Sequence, residues 1–173
     1  MKQETTIERH IIAVLVDNEA GVLARVIGLF SGRGYNIESL TVAEVEHESA
    51  QSRINIVTTG TPMIIAQIIA QLDRLVPVHR VTDLTEGRHL ERELALIKVQ
   101  ATGEKRLESL RIADIFRARA VDSTDRSFVF ELTGSTEKLY DFINLMRPLG
   151  QVNVSRTGVV AISRGPIQSE SLK

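Results

Sequence analysis

The chain has 173 residues, 43% of them apolar and 25% charged, which suits a globular protein with one ordinary core or two small ones. Lys and Arg number 21 against 22 Asp and Glu, so no positive excess draws the chain to nucleic acid or to an anionic membrane. There is no Cys, which excludes disulfides, thiolate chemistry and Cys-containing zinc sites.

Residues 1–9 are polar and carry acids, unlike a signal peptide or an Arg-rich transit sequence. Residues 11–16 form an apolar run too short to span a bilayer. A cytoplasmic chain is expected. The same run is β-branched and unbroken, which predicts a strand covered on at least one face. Asp17-Asn18-Glu19 interrupts it with turn and cap chemistry. From 21 to 31, Val22, Leu23, Val26, Ile27, Leu29 and Phe30 recur at helical spacing, and Gly32 and Gly34 are expected to end that helix. Strands are predicted over 37–45 and 53–59, on either side of a polar loop. Thr61-Pro62 signals a helix start, and Ile64, Ile65, Ile68, Ile69 and Leu72 make its apolar stripe. A strand over 76–84 closes a βαββαβ unit.

The same grammar then repeats. Ala95, Ile97, Val99 and Ala101 alternate along a strand, and 104–116 is a helix with a ragged stripe. Residues 119–123 and 126–133 read as a hairpin with Phe128, Phe130 and Leu132 on one side. Ser135 caps a helix carrying Leu139, Phe142, Ile143 and Met146. Residues 151–163 supply the last strand or strands, bent at Gly158. The fold class is therefore α+β, two consecutive ferredoxin-like βαββαβ domains. They are placed at 9–84 and 94–165, with a linker over 85–93 and a tail over 166–173. Open sheet edges predict pairing with a second copy of the chain.

No catalytic constellation is legible. His10, His47, His79 and His89 are scattered, with none at metal-ligand spacing, and read as surface or strand-edge residues. No G-x-S-x-G elbow or Walker-type loop occurs. RNA-recognition modules share the βαββαβ order but stack bases on aromatics of the third strand, where residues 53–59 have none. In the second half Phe128 and Phe130 read as core. Arg156 and Arg164 read as solvated charges.

What remains is Asp17-Asn18-Glu19-Ala20-Gly21-Val22-Leu23, a strand-to-helix turn with glycine at the helix start. The first N–H groups of a helix lack intrahelical partners and attract a carboxylate. Glycine lets a ligand reach that backbone, and Asn18 offers a donor and an acceptor beside it. Asn18 and Gly21 could equally cap the helix, and Asn36 could make an Asx-turn before the next strand.

The stretch Asn18-Glu19-Ala20-Gly21-Val22-Leu23-Ala24 followed by RVIGLFSGRGYNIESLTV (25–42) closely resembles the start of acetolactate (acetohydroxyacid) synthase small subunits. The resemblance continues through VTDL (81–84), ERELALIKV (91–99) and SRTGVVAISRG (155–165), so it covers nearly the whole chain. It implies that the first domain is an ACT domain and that the chain has no catalytic site of its own. The implied partners are a second copy of the chain, joined through the ACT domains, and a large catalytic subunit carrying thiamine diphosphate, Mg²⁺ and FAD. In such a complex the small subunit raises activity and confers inhibition by valine, or by leucine or isoleucine. By this resemblance Asn18, Gly21, Val22 and Leu23 of one protomer face Asn36 and Ile37 of the other around the effector. The alternative is a stand-alone ACT-type sensor regulating another enzyme.

Overall fold

A computed structural model describes residues 6–46 and 50–166, and every element below lies within them. Strand β1 (Glu8–Asp17) runs antiparallel between two neighbours, because both of its edges are paired and one of its faces is apolar. After it come α1 (Val22–Arg33), β2 (Ser39–Glu46), β3 (Gln51–Gly60), α2 (Pro62–Leu72) and β4 (Val78–Asp83). The four strands form one sheet in the order β2-β3-β1-β4, leaving β2 and β4 as edges.

Alternation decides which residues meet the helices. Ile12, Val14 and Val16 of β1 and Ile54 and Ile56 of β3 share a face and pack against Val22, Val26 and Phe30 of α1. Ile65, Ile68 and Leu72 of α2 complete that core. A twelve-residue helix is marginal alone, whereas each of these buried side chains contributes about 1.5–3 kcal/mol. Packing therefore holds α1 more than propensity does. Gly34 ends the helix at φ +70°, donating its N–H to the carbonyls of Phe30 and Ser31. Gly32, expected to share that role, lies inside α1. Thr61 caps α2 as its sequence foretells: its side chain accepts from Ile64 N, with proline in the first turn.

The second unit repeats the order. It comprises β5 (His89–Gln100), α3 (Gly103–Phe116), β6 (Arg119–Ser123), β7 (Ser127–Gly134), α4 (Thr136–Met146) and β8 (Gln151–Arg156), arranged β6-β7-β5-β8. A further strand, β9 (Val160–Ser163), also pairs with β5. Between β8 and β9 the chain passes Gly158 at φ +87°, the predicted bend. Ala95, Ile97 and Val99 pack with Phe128, Phe130 and Leu132 and with Leu139, Phe142, Ile143 and Met146. The Phe130 and Phe142 rings meet edge to face at 5.9 Å, and the Arg106 guanidinium covers Phe128 at 3.8 Å. Both phenylalanines are thus taken up by the core. On ragged α3 only Ser109 and Ala113 are fully buried.

Two boundaries differ from expectation. The stretch 85–93 is a short turn followed by the start of β5, because His89 already belongs to a twelve-residue strand. Contacts also group residues up to Leu90 with those from Ala161 onward, and Glu91–Val160 form the other unit. Arg156 is not a solvated charge either. Its Nε and Nη2 donate to both oxygens of Glu93 at 2.7 and 2.6 Å, and its guanidinium lies 4.7 Å from the centre of the Tyr140 ring. Thr136 Oγ1 donates to the same carboxylate at 3.3 Å. The hydrogen bond to Glu93 raises the Arg156 pKa above its ordinary value against the opposing effect of burial. This bidentate pair ties β5, α4 and β8 together.

Two stability predictions follow the geometry. Glu93→Ala strands a guanidinium that is only 26% exposed, so a loss of about 2–3 kcal/mol is expected, less than for a fully buried pair. A urea titration reads it as a lower midpoint with unchanged slope. At Gly150 a Cβ would fall 1.9 Å from the Gln100 carbonyl oxygen, so Gly150→Ala must move backbone. It should cost about 1–3 kcal/mol and lower the melting temperature.

Candidate functional site

The turn from β1 into α1 is built around Gly21. This residue is the N-cap of α1 at φ +89°, and no side chain caps the helix. Asn18 therefore does not make the capping bond that its position allows. Its own N–H donates to the Ala50 carbonyl at 2.7 Å, which fixes the turn from the backbone side, while its exposed amide side chain bonds to nothing among the described residues. By contrast α2 and α4 have their third N–H taken by Thr61 and Ser135, whereas α3, like α1, has no side-chain cap bond. At the start of α1 a long 3.4 Å contact runs from Val22 N to the Glu19 carbonyl, and no side chain takes the first-turn donors. A Cβ built on Gly21 meets nothing within 4 Å, so the backbone there is open.

The apolar residues divide. Val22 is buried, its side chain packed in the first core. Leu23 is 37% exposed beside it. Asn36 and Ile37 lie beyond the other end of α1. Asn36 Oδ1 accepts from Ile37 N at 3.3 Å, which is the local contact its position before a strand allows. Its carbonyl accepts the Thr58 hydroxyl at 2.8 Å, and Ile37 packs partly against the first core.

These six residues do not converge within one chain. At 1.5 Å per residue the twelve residues of α1 hold its entrance and exit about 18 Å apart. A single amino acid is too short to bridge that span.

The histidines carry other roles. His10 Nδ1 lies 2.7 Å from Asp83 Oδ2, with the side chains 12% and 3% exposed, so this is a buried pair rather than a surface histidine. Asp83 Oδ1 also accepts Thr85 N at 2.9 Å. His89 Nδ1 is 3.2 Å from the Gly87 carbonyl, and His79 pairs with Asp17 at 2.6 Å. His47 lies outside the described residues. Among the described residues no three His, Asp or Glu side chains gather to hold a metal ion, and no helix is long and apolar enough to cross a membrane. A hollow of about 370 Å³ at the end of α3 is lined by Ile115, Phe116, Arg117 and Lys138, without a nucleophile or a carboxylate.

The sequence matches two family models in succession. One is described as the AHAS small subunit-like ACT domain, over residues 12–80, and the other as the small subunit of acetolactate synthase, over residues 92–165. The probable acetolactate synthase small subunit of Archaeoglobus fulgidus is 49% identical over 157 residues, covering 91% of this chain and 98% of its own. The small subunit of isozyme 3 from Escherichia coli is 47% identical, covering 91% and 96%. Among solved structures, the acetolactate synthase small subunit of Thermotoga maritima superposes with a TM-score of 0.82 at 37% identity, covering 92% of this chain and 99% of that one.

Proposed function

Because this chain belongs to the family of acetolactate synthase small subunits, we propose that it activates a large catalytic subunit and makes it sensitive to valine, or to leucine or isoleucine. The observation that carries the effector reading is the open, uncapped start of α1 at Gly21. N–H groups of that first turn take the ligand carboxylate, where the helix dipole favours a negative charge. The ammonium goes to the Asn18 side-chain oxygen or to the lone pair that Thr58 leaves free on the Asn36 carbonyl. Leu23 and Ile37 offer the apolar contact for a branched side chain.

The span of α1 supports a site shared by two copies, with the entrance from one protomer and the exit from the other. Edge strand β2 is the surface that suits such pairing. Its Val42 and Val45 are 44% and 49% exposed on an edge strand, apolar surface that a second copy would cover. A ligand held between copies favours one arrangement of the dimer, and inhibition is then the arrangement that activates the large subunit less well. A single methylene in an apolar pocket discriminates by only about 1–3 kcal/mol, so related branched-chain amino acids would compete for it. Thiamine diphosphate, Mg²⁺ and FAD belong, by the resemblance, to the large subunit. The complex is placed in the cytoplasm.

Reconstitution with an acetolactate synthase large subunit tests this. Acetolactate formation should rise on adding the chain and fall when valine follows. Asn36→Ala and Gly21→Asp should each abolish the valine response while activation persists. Gly21→Asp blocks the backbone and repels the ligand carboxylate, but at φ +89° it also adds about 1–2 kcal/mol of strain, so its melting temperature should be measured alongside. If both variants stay fully valine-sensitive, the site is misplaced, and if the chain leaves the rate untouched, the regulatory assignment fails. The pairing surface has its own check. Val42→Lys with Val45→Lys should shift the chain toward monomer in sedimentation velocity.

A further inference from the structure

Strand β4 carries a one-residue irregularity opposite the end of β1. Leu15 pairs with Arg80 and Val16 pairs with Val78, so His79 has no residue of its own to face. A bulge of this kind takes a side chain out of strict alternation and re-aims it. The re-aimed His79 imidazole places Nε2 2.6 Å from Oδ1 of Asp17, the last residue of β1. Both side chains are 38% exposed, so this pair sits at the rim rather than in the core. Two backbone bonds hold the same spot, from Asp17 N to the Pro77 carbonyl at 2.9 Å and from Asn18 N to the Ala50 carbonyl at 2.7 Å.

The placement matters for charge. Asp17 and Glu19 flank Asn18, four and two residues before the N-cap Gly21, so on the effector reading two carboxylates neighbour in sequence the helix start that receives a third from the ligand. Like charges repel, and at a half-exposed site the repulsion is reduced but not removed by water. We infer that His79 is a positioning residue for the effector entrance, its imidazole holding the Asp17 carboxylate and drawing its charge away from the incoming ligand. The inference rests on the effector reading above and adds to it a residue from a strand that neither the entrance nor the exit of α1 includes. A shorter side chain at the bulge leaves the Asp17 carboxylate free to turn toward the ligand, while the backbone bonds of Asp17 and Asn18 keep the turn in place.

Titration calorimetry of valine into the full chain tests it with four proteins: the parent, His79→Ala, His79→Gln, and His79→Ala combined with Asp17→Asn. The dissociation constant should rise roughly three- to tenfold in His79→Ala, the scale of one half-exposed hydrogen bond to a charged group. His79→Gln, whose amide can donate to Asp17, should recover part of the loss. The double variant should recover it too, because removing the Asp17 charge removes the need for its partner, an outcome that a purely structural role for His79 does not produce. Ligand-free melting curves accompany each titration. The inference is overturned if His79→Ala binds like the parent, if the double variant binds no better than His79→Ala, or if the loss follows a lowered melting temperature. Absence of heat from the parent itself overturns the effector reading, and this assignment with it.

Discussion

In each unit the central strand, β1 or β5, must bury one face against helices while both of its edges are paired. That double demand leaves little freedom. Ile12, Val14 and Val16 point to α1 and α2, and a one-residue slip against β3 would turn them away and bring Ile11, Ala13 and Leu15 to the helices instead. Ala95, Ile97 and Val99 fix β5 against β7 in the same way. With the central strand placed, the order of its neighbours, the side on which the helices lie and the position of the turn into α1 are all set. The two halves reach the same strand order, because the same alternation and uniformly short connections impose it.

Much of this is legible before any coordinates. Alternation in β5 and β7, the Thr61-Pro62 start of α2 and the Ser135 cap of α4 are short-range signals, and the side chains behave in the structure as those signals say. What escapes is long-range. Glu93 and Arg156 are 63 residues apart, so nothing in either neighbourhood announces that one carboxylate will be buried under one guanidinium. His10 and Asp83 are 73 apart and equally silent. The polar composition of 85–93 suggested a linker because Glu91, Arg92 and Glu93 look solvated, whereas pairing lets a strand begin there. At the candidate site, the turn and its glycine stand out in sequence because they are contiguous. The bulge at His79 does not, since a register shift exists only between two strands.

The sequence also left open whether Asn18 merely caps α1. The geometry narrows that question: Gly21 is the cap residue, and it brings no side chain to the first turn. A glycine cap forgoes roughly a few tenths of a kcal/mol relative to a serine or aspartate. Elsewhere in the chain, α2 and α4 take that contribution. Helix α1 instead leans on Val22, Val26 and Phe30, whose burial outweighs a missing cap severalfold. The entrance can stay open because the helix behind it is held from below.

The length of α1 has a consequence for how the chain behaves when scarce. If, as proposed, the effector site is divided between the two ends of this twelve-residue helix, it is complete only where a second copy supplies the missing half. Occupancy would then depend on how much protein is present as well as on how much ligand. Freshly made or strongly diluted chains would be deaf to an effector that assembled chains hear, and the effector in turn would hold together the very pairs that sense it.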